Sequence, residues 1–406
     1  MMVKAIIPLF LTIALLAFGA CTRDRVEENS SDAGQPIIEY NDTVVYKDDV
    51  IKKMNYYLTG QGMTIEDLSE SGEEEIWERF KNDIIFELSV FQIALHKAEE
   101  LGLDDLSPAE KQMIDDTYKK GLEMSKNAVQ QTGDDSDFDG QLNEYLFLRG
   151  YDLETYKSAL KREYIVEKVK EYYTKDITAP DEEVRASYEK ALEIQKNNVE
   201  KKPESVEQLL LFDADVFYYP EGYMYAKHIL ISFDSADSGA AAIAYVNGNI
   251  AEYNRVVSEA MPKIQERVDM IMQKLNGGAD FDDLMVRHSD DSSLNEEPYL
   301  TRGFLVGPYS TSFDVPEYLA ALKTLEAEGE YTEPVTTFVG VYIIGCEEML
   351  AGPVPYEEVK DRYKRKIIKQ RKEYAWSALG QDWIDKATAE GTLKQYPDRL
   401  QIPTKK

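Results

Sequence analysis

The hydrophobic period of this chain changes twice, and those two changes constrain its fold more than any other feature. Over residues 73–102, EEEIWERFKNDIIFELSVFQIALHKAEELG, the apolar residues Ile76, Phe80, Ile84, Leu88, Phe91 and Leu95 recur every three or four positions, the stripe of a helix packed on one face. Near residue 220 the texture becomes aromatic and β-branched, DVFYYPEGYMYAKHILISFD, with Pro220 and Gly222 at the change. Past Gly352-Pro353 helical spacing returns, through Tyr356, Val359, Tyr363, Ile367 and Tyr374. A helical frame built from two ends of the chain, interrupted by a segment of another kind, is therefore expected. No repeat of fixed period is present.

Local signals place further elements. Residues 36–50 give two short β-prone runs around Asn41-Asp42, then a helix from about Lys47. Ser107-Pro108-Ala109-Glu110 combines a capping serine, a proline at the first helical position and a glutamate three residues after the cap. Pro180 followed by three acids opens another helix. After 220 come a strand KHILISF, an inserted stretch to about Ala260, a helix from Pro262 to Gly278, a second helix over ADFDDLMVRHS, and a strand VGVYIIGCEE. His96 falls within a helical stripe and is expected to be structural.

Charge and composition narrow the function. The 406 residues carry 76 acids against 46 bases, a formal charge of −30, which argues against a nucleic-acid backbone or an anionic membrane face as main partner. Two cysteines and three histidines leave little room for a disulfide framework or a Cys/His zinc site. Asp135-Ser136-Asp137-Phe138-Asp139-Gly140 begins like a calcium loop, but its twelfth position is Leu146 where a bidentate glutamate belongs, so a solvated acidic loop is expected over 135–146. Cys346 lies in an apolar string and reads as a small core residue.

The N-terminus supplies a location. Lys4 precedes the apolar run IIPLFLTIALLAFGA, which contains a proline and is short for a bilayer span, as a secretory core region is. The run ends at Cys21. Gly19-Ala20-Cys21 resembles a lipobox, which implies lipidation of Cys21, with residues 1–20 as signal peptide and 21–35 as a polar tether. A plain signal peptide with an incidental cysteine is the alternative.

Five segments in order carry a further resemblance: YAKHILIS, GGADFDDL running into RHSDDSS, VPEYLAAL, EGEYTEPV and FVGVYII. Together they resemble the parvulin class of peptidyl-prolyl isomerases. With the lipobox and the flanking helices, the whole chain is similar to the PrsA/SurA type of extracytoplasmic foldase. That resemblance implies an α+β fold: a mostly helical chaperone lobe from residues 36–220 and 351–406, and an inserted antiparallel sheet wrapped by helices over 221–350. It implies His228 and Asp291 as catalytic residues, with Tyr342 in G-V-Y-I-I where the family has its second histidine. It implies Tyr318 in the proline-binding pocket; Phe313 could fill part of the space left by a missing pocket methionine. It implies no cofactor and no metal, and as partners unfolded exported proteins with X-Pro bonds, met on the outer side of a membrane to which the lipid holds the chain. Two rivals stand beside this reading: a catalytically weak or inactive holdase of the same architecture, and a solute-binding lipoprotein, disfavoured because residues 70–200 lack alternating strands.

Overall fold

The computed structural model describes residues 34–65, 67, 74–131, 137–212, 214–310 and 315–400. The signal-peptide, Cys21 and Phe313 expectations lie outside them, as does most of the expected tether. The described chain is mostly helical with small antiparallel sheets, an α+β fold. Among the described residues no helix is long and apolar enough to cross a membrane. The chain forms two compact units, residues 1–178 with 369–406, and residues 179–368.

The first unit starts with a hairpin, β1 (Pro36–Tyr40) and β2 (Thr43–Tyr46), turning at Asn41 with φ 50°. Asparagine tolerates that left-handed conformation, which is why Asn-Asp is a readable turn. The helix α1 (Lys47–Thr59) follows directly. Three long helices come next: α2 (Glu74–Leu101), α3 (Pro108–Gln130) and, after the short α4 (Phe138–Phe147), α5 (Tyr156–Thr174). The reciprocal cap of α3 forms as its sequence dictates. Ser107 N–H donates to Glu110 Oε2 at 2.7 Å, and Glu110 N–H donates to Ser107 Oγ at 3.3 Å.

The buried face of α2 is turned from the expected one. Ile76 is 46% exposed, whereas Trp77, Ile84, Ile85, Val90, Ile93, Ala94 and Ala98 are buried. Helix α2 packs on α5 and β1 and meets the end of the C-terminal helix through Gly380, where a Cβ would strike Val90. A helix enclosed on several sides buries a wider arc than a single stripe marks. The acidic loop also has a different use: Asp137, at φ 51°, caps α4 by accepting from Gly140 N–H at 3.3 Å, and Leu142 and Leu146 are core residues.

The second unit begins with α6 (Asp181–Lys201) and α7 (Ser205–Leu211) and is organised by two long strands, β3 (Tyr218–Ser232) and β6 (Gly340–Pro353). These pair antiparallel from Tyr218 opposite Pro353 to Ser232 opposite Gly340, with irregularities between Tyr219 and Tyr223 and between Tyr225 and Ala226. Short strands flank them, β4 (Phe304–Val306) on β3 and β5 (Val335–Thr336) on β6, giving the order β4-β3-β6-β5. Between β3 and β4 the chain forms α8 (Ser235–Val246), α9 (Ile250–Asn276), α10 (Phe281–His288) and α11 (Tyr299–Arg302); α12 (Pro316–Leu322) precedes β5. Two glycines are needed where strands begin. Gly303, at φ 77°, lies against the Ala226 carbonyl, and Gly340, at φ 153°, against that of Ile231, so a side chain at either would meet backbone.

One expectation differs here. The helix expected to start at Pro262 starts at Ile250, capped by Asn249, and runs through Pro262. Proline inside a helix costs about 3 kcal/mol; the stripe Val256, Ala260, Ile264, Val268, Ile271 and Leu275 is buried on both sides of it, and that burial outweighs the loss. The two compact units meet along the chain at 178/179 and 368/369. Tyr188 of α6, Phe217 and Val359 form one buried cluster with Tyr356 and Tyr363 packed on it, so α6 and the first turns of the long C-terminal helix α13 (Tyr356–Ala389) go with the sheet. The last turns of α13 belong to the first unit, where Trp383, Ile384 and Ala387 are buried, while Tyr374 is 79% exposed. The closing strand β7 (Leu393–Gln395) pairs antiparallel with β1.

Candidate functional site

The residues of β3 alternate between two faces of the sheet. Ile229 and Ile231 turn to one side with Val341 and Ile343 of β6, under Ile264, Val268, Ile271 and Leu275 of α9 and Leu284 and Met285 of α10. Lys227 is on that side as well, 2% exposed, with Nζ 2.8 Å from Asp282 and 3.0 Å from Glu347. Burial works against its charge, but the two carboxylates outweigh burial and hold its pKa above the usual lysine value. The other side carries Met224, Ala226, Ile344 and Cys346 packed on Val315, Tyr318, Leu322 and Leu325. Burial pushes the Cys346 thiol up to about 11, in keeping with a core residue.

His228 sits on this second side, 1% exposed. Its Nε2 is 3.0 Å from Asp291 Oδ2 and its Nδ1 is 3.2 Å from the Tyr318 hydroxyl. A carboxylate only accepts, so Nε2 carries a proton and donates to Asp291; in the neutral ring Nδ1 then accepts from the Tyr318 hydroxyl. Three rings meet nearly at right angles. The centroids of His228 and Tyr342 are 4.9 Å apart at 88°, of Tyr318 and Tyr342 5.2 Å at 89°, and of His228 and Tyr318 5.7 Å at 86°. Edge-to-face contacts of this kind fix ring orientation. Phe304 of β4 lies nearly parallel to the imidazole at 6.0 Å and 23°.

The S-D-D turn is pinned to the edge of β3. Ser289 Oγ accepts from Leu230 N–H at 3.1 Å, Asp290 N–H donates to the Leu230 carbonyl at 2.8 Å, and Asp290 Oδ2 accepts from Ser232 N–H at 2.8 Å and from Arg267 at 2.9 Å. Asp291 in turn accepts through Oδ1 from Ser293 N–H at 2.9 Å and from its hydroxyl at 2.6 Å. The bond from His228 and then those from Ser293 hold the Asp291 carboxyl well below the usual carboxylate range, against partial burial. Burial pushes the Tyr318 and Tyr342 phenols up, reinforced by Tyr342 and then by Asp291 for Tyr318 and by Asp291 for Tyr342, so both stay protonated donors. His288, in the last turn of α10, has its pKa pushed down by burial and by Lys274, Arg267 and Arg287.

The structure thus brings together His228, Asp291, Tyr318 and Tyr342 from β3, the S-D-D turn, α12 and β6. Phe304, Ser289 and Ser293 were not singled out in the sequence. Ser293 had a signal, since an aspartate two residues before a serine is a capping pattern. Phe304 had none, because its contact depends on the pairing of β4 with β3. Among the described residues no group of three or more His, Cys, Asp or Glu side chains could hold a metal ion.

No protein-family model matches the chain. It is similar to the foldase protein PrsA of Clostridium perfringens, 25% identical over 307 residues that cover 75% of this chain and 69% of that protein. It is likewise similar to the foldase protein PrsA of Clostridium botulinum, 23% identical over 390 residues covering 94% of both. The crystal structure of PrsA from Bacillus subtilis aligns over 87% of this chain and 93% of that one at 17% identity, with a TM-score of 0.26.

Proposed function

We propose that the chain is an extracytoplasmic foldase, in which the sheet-bearing unit accelerates cis–trans isomerisation of X-Pro bonds and the helical unit holds unfolded exported clients. Its similarity to PrsA foldases over most of its length supports the foldase reading. The isomerase reading rests on one observation: a buried histidine with both ring nitrogens engaged, edge-on to two tyrosines and closed by a carboxylate. A histidine so held is a poor nucleophile or base, because its lone pair already accepts a hydrogen bond. The arrangement suits a reaction that makes no covalent bond.

Rotation about X-Pro meets a barrier of ~18–20 kcal/mol because the amide loses its resonance on the way. A fixed apolar and aromatic wall that seats the proline ring, beside oriented donors and a charge, lowers that barrier when it fits the twisted amide better than the planar one. Here Tyr342 and Asp291 keep some exposure and meet the peptide, while His228 and Tyr318 behind them set their orientation. Cys21 as a lipid anchor completes the proposal. A protease-coupled assay on X-Pro peptides tests it: catalysis by the wild-type protein, reduced at least tenfold in His228→Ala, is the expected result. Equal rates with and without protein would remove the isomerase.

The holdase reading keeps support from one observation, Tyr342 at the position where the resemblance places a second histidine. Suppression of aggregation of a denatured secreted protein, undiminished in His228→Ala, would accompany it.

A further inference from the structure

The segment Asp234–Ala260 takes no part in the network around His228, yet it is a built piece of structure. Asp234 caps α8 by accepting from the Ala236 and Asp237 amides at 3.1 and 2.9 Å. Lys263 of α9 ties Asp234 and Asp237 at 3.1 and 2.5 Å, and Ala241 and Ala244 are buried. On this anchored frame Ile243, Val246 and Ile250 stand 66%, 83% and 59% exposed, an apolar edge. Tyr245 of the same helix lies 5.4 Å from Phe338 and 5.7 Å from Tyr253 between ring centroids. Phe338 packs on the cluster that contains Tyr318 and has Tyr342 against it. The inserted helices thus continue the aromatic wall of the His228 side.

Glu317, next to Tyr318 on α12, is the unusual group here. Its carboxylate is near enough to Tyr245 and Tyr253 to reinforce what burial does to their hydroxyls. Its Oε2 is shut off from solvent and has no hydrogen-bond partner among the described residues. An acceptor left in that state costs about 1–3 kcal/mol, more when charged, and because the Glu317 side chain is only half-buried its carboxylate can turn to a donor from outside the chain, which removes the cost. Aromatic faces beside a carboxylate favour a cation, which is held by the rings as well as by the charge.

We propose that Asp234–Ala260 and Glu317 form an accessory subsite that takes a lysine or arginine side chain of the client, a few residues from its proline. The cation meets the Glu317 carboxylate, its stem lies on Tyr245, Tyr253 and Phe338, and neighbouring apolar client residues cover Ile243, Val246 and Ile250. The inference rests on the reading of the His228 side as an X-Pro site, and it adds a sequence preference to that site.

The test is fluorescence anisotropy of labelled Pro-containing peptides that carry Lys, Leu or Glu two residues from the proline. They are titrated with the full chain, with Glu317→Gln and Tyr245→Ala, and with Glu266→Gln as an exposed acid remote from the subsite. The wild-type protein should bind the Lys peptide roughly tenfold more tightly than the Leu peptide. That ratio should fall close to one in Glu317→Gln, fall in part in Tyr245→Ala, and stay unchanged in Glu266→Gln. A ratio untouched by Glu317→Gln, or lowered equally by Glu266→Gln, overturns the subsite, the second because diffuse negative charge would then explain it. Isomerisation of the same peptides separates the two ideas. A Glu317-dependent preference without turnover removes the isomerase and keeps the subsite; turnover without that preference does the reverse.

Discussion

The two sides of the β3–β6 ribbon differ in what holds them. On the α9 side, Ile229, Ile231, Val341 and Ile343 are all 0% exposed and meet aliphatic side chains of two helices. On the other side His228 and Tyr318 are equally buried, but they are joined by directed hydrogen bonds and ring edges to groups near the surface. Close-packed aliphatic cores gain stability in proportion to buried area and specify little chemistry. Polar networks add little net stability, yet they fix atoms in place. The same two strands therefore serve as foundation on one side and as the proposed reaction surface on the other.

The largest break in that comparison should come from Ile343→Ala. The lost methyl groups and the cavity should cost about 2–5 kcal/mol, read by denaturant unfolding, while the rate per folded molecule stays within about twofold of wild type. His228→Ala should do the opposite. Stability should fall by only about 1–3 kcal/mol, because Asp291 can turn to water, while catalysis is lost. Near-UV circular dichroism unchanged outside the tyrosine band would show that the second side had not collapsed.

Asp291→Asn sharpens the comparison through pH. The folded-state pKa of Asp291 is depressed, so its contribution to stability is fully present above the unfolded carboxylate value of about 4 and fades as pH falls below it. Replacing it should cost about 1–2 kcal/mol at neutral pH and flatten the acid limb of the stability profile. An acid limb as steep as that of the wild-type protein would mean that other carboxylates carry it. The smallest stability effect is expected from Tyr342→His, a few tenths of a kcal/mol at a half-buried ring, with an isomerisation rate raised severalfold.

Much of this was legible where local chemistry decides the outcome. The Asn41 turn, the Ser107 cap, and the meeting of His228 with Asp291 follow from residue types a few positions apart or from one shared motif order. What was not legible depends on distant partners. Nothing near Leu393 announces that it completes the β1 sheet, because its partner Tyr40 is at the other end of the chain. Trp77 rather than Ile76 faces inward because several elements surround α2. Pro262 was read as a helix start although Val256 and Ala260 already carried the stripe back through it. Lys227, a residue type normally exposed, is buried because Asp282 and Glu347 happen to converge on it.

The most direct test of the division between the two sides is exchange spectroscopy by NMR on a single X-Pro peptide. Cis–trans exchange is measured with wild-type protein, His228→Ala and Ile343→Ala at a temperature where all three are folded. The account predicts exchange enhanced equally by wild type and Ile343→Ala, and not by His228→Ala. Enhancement that survives in His228→Ala, or vanishes in folded Ile343→Ala, would contradict it.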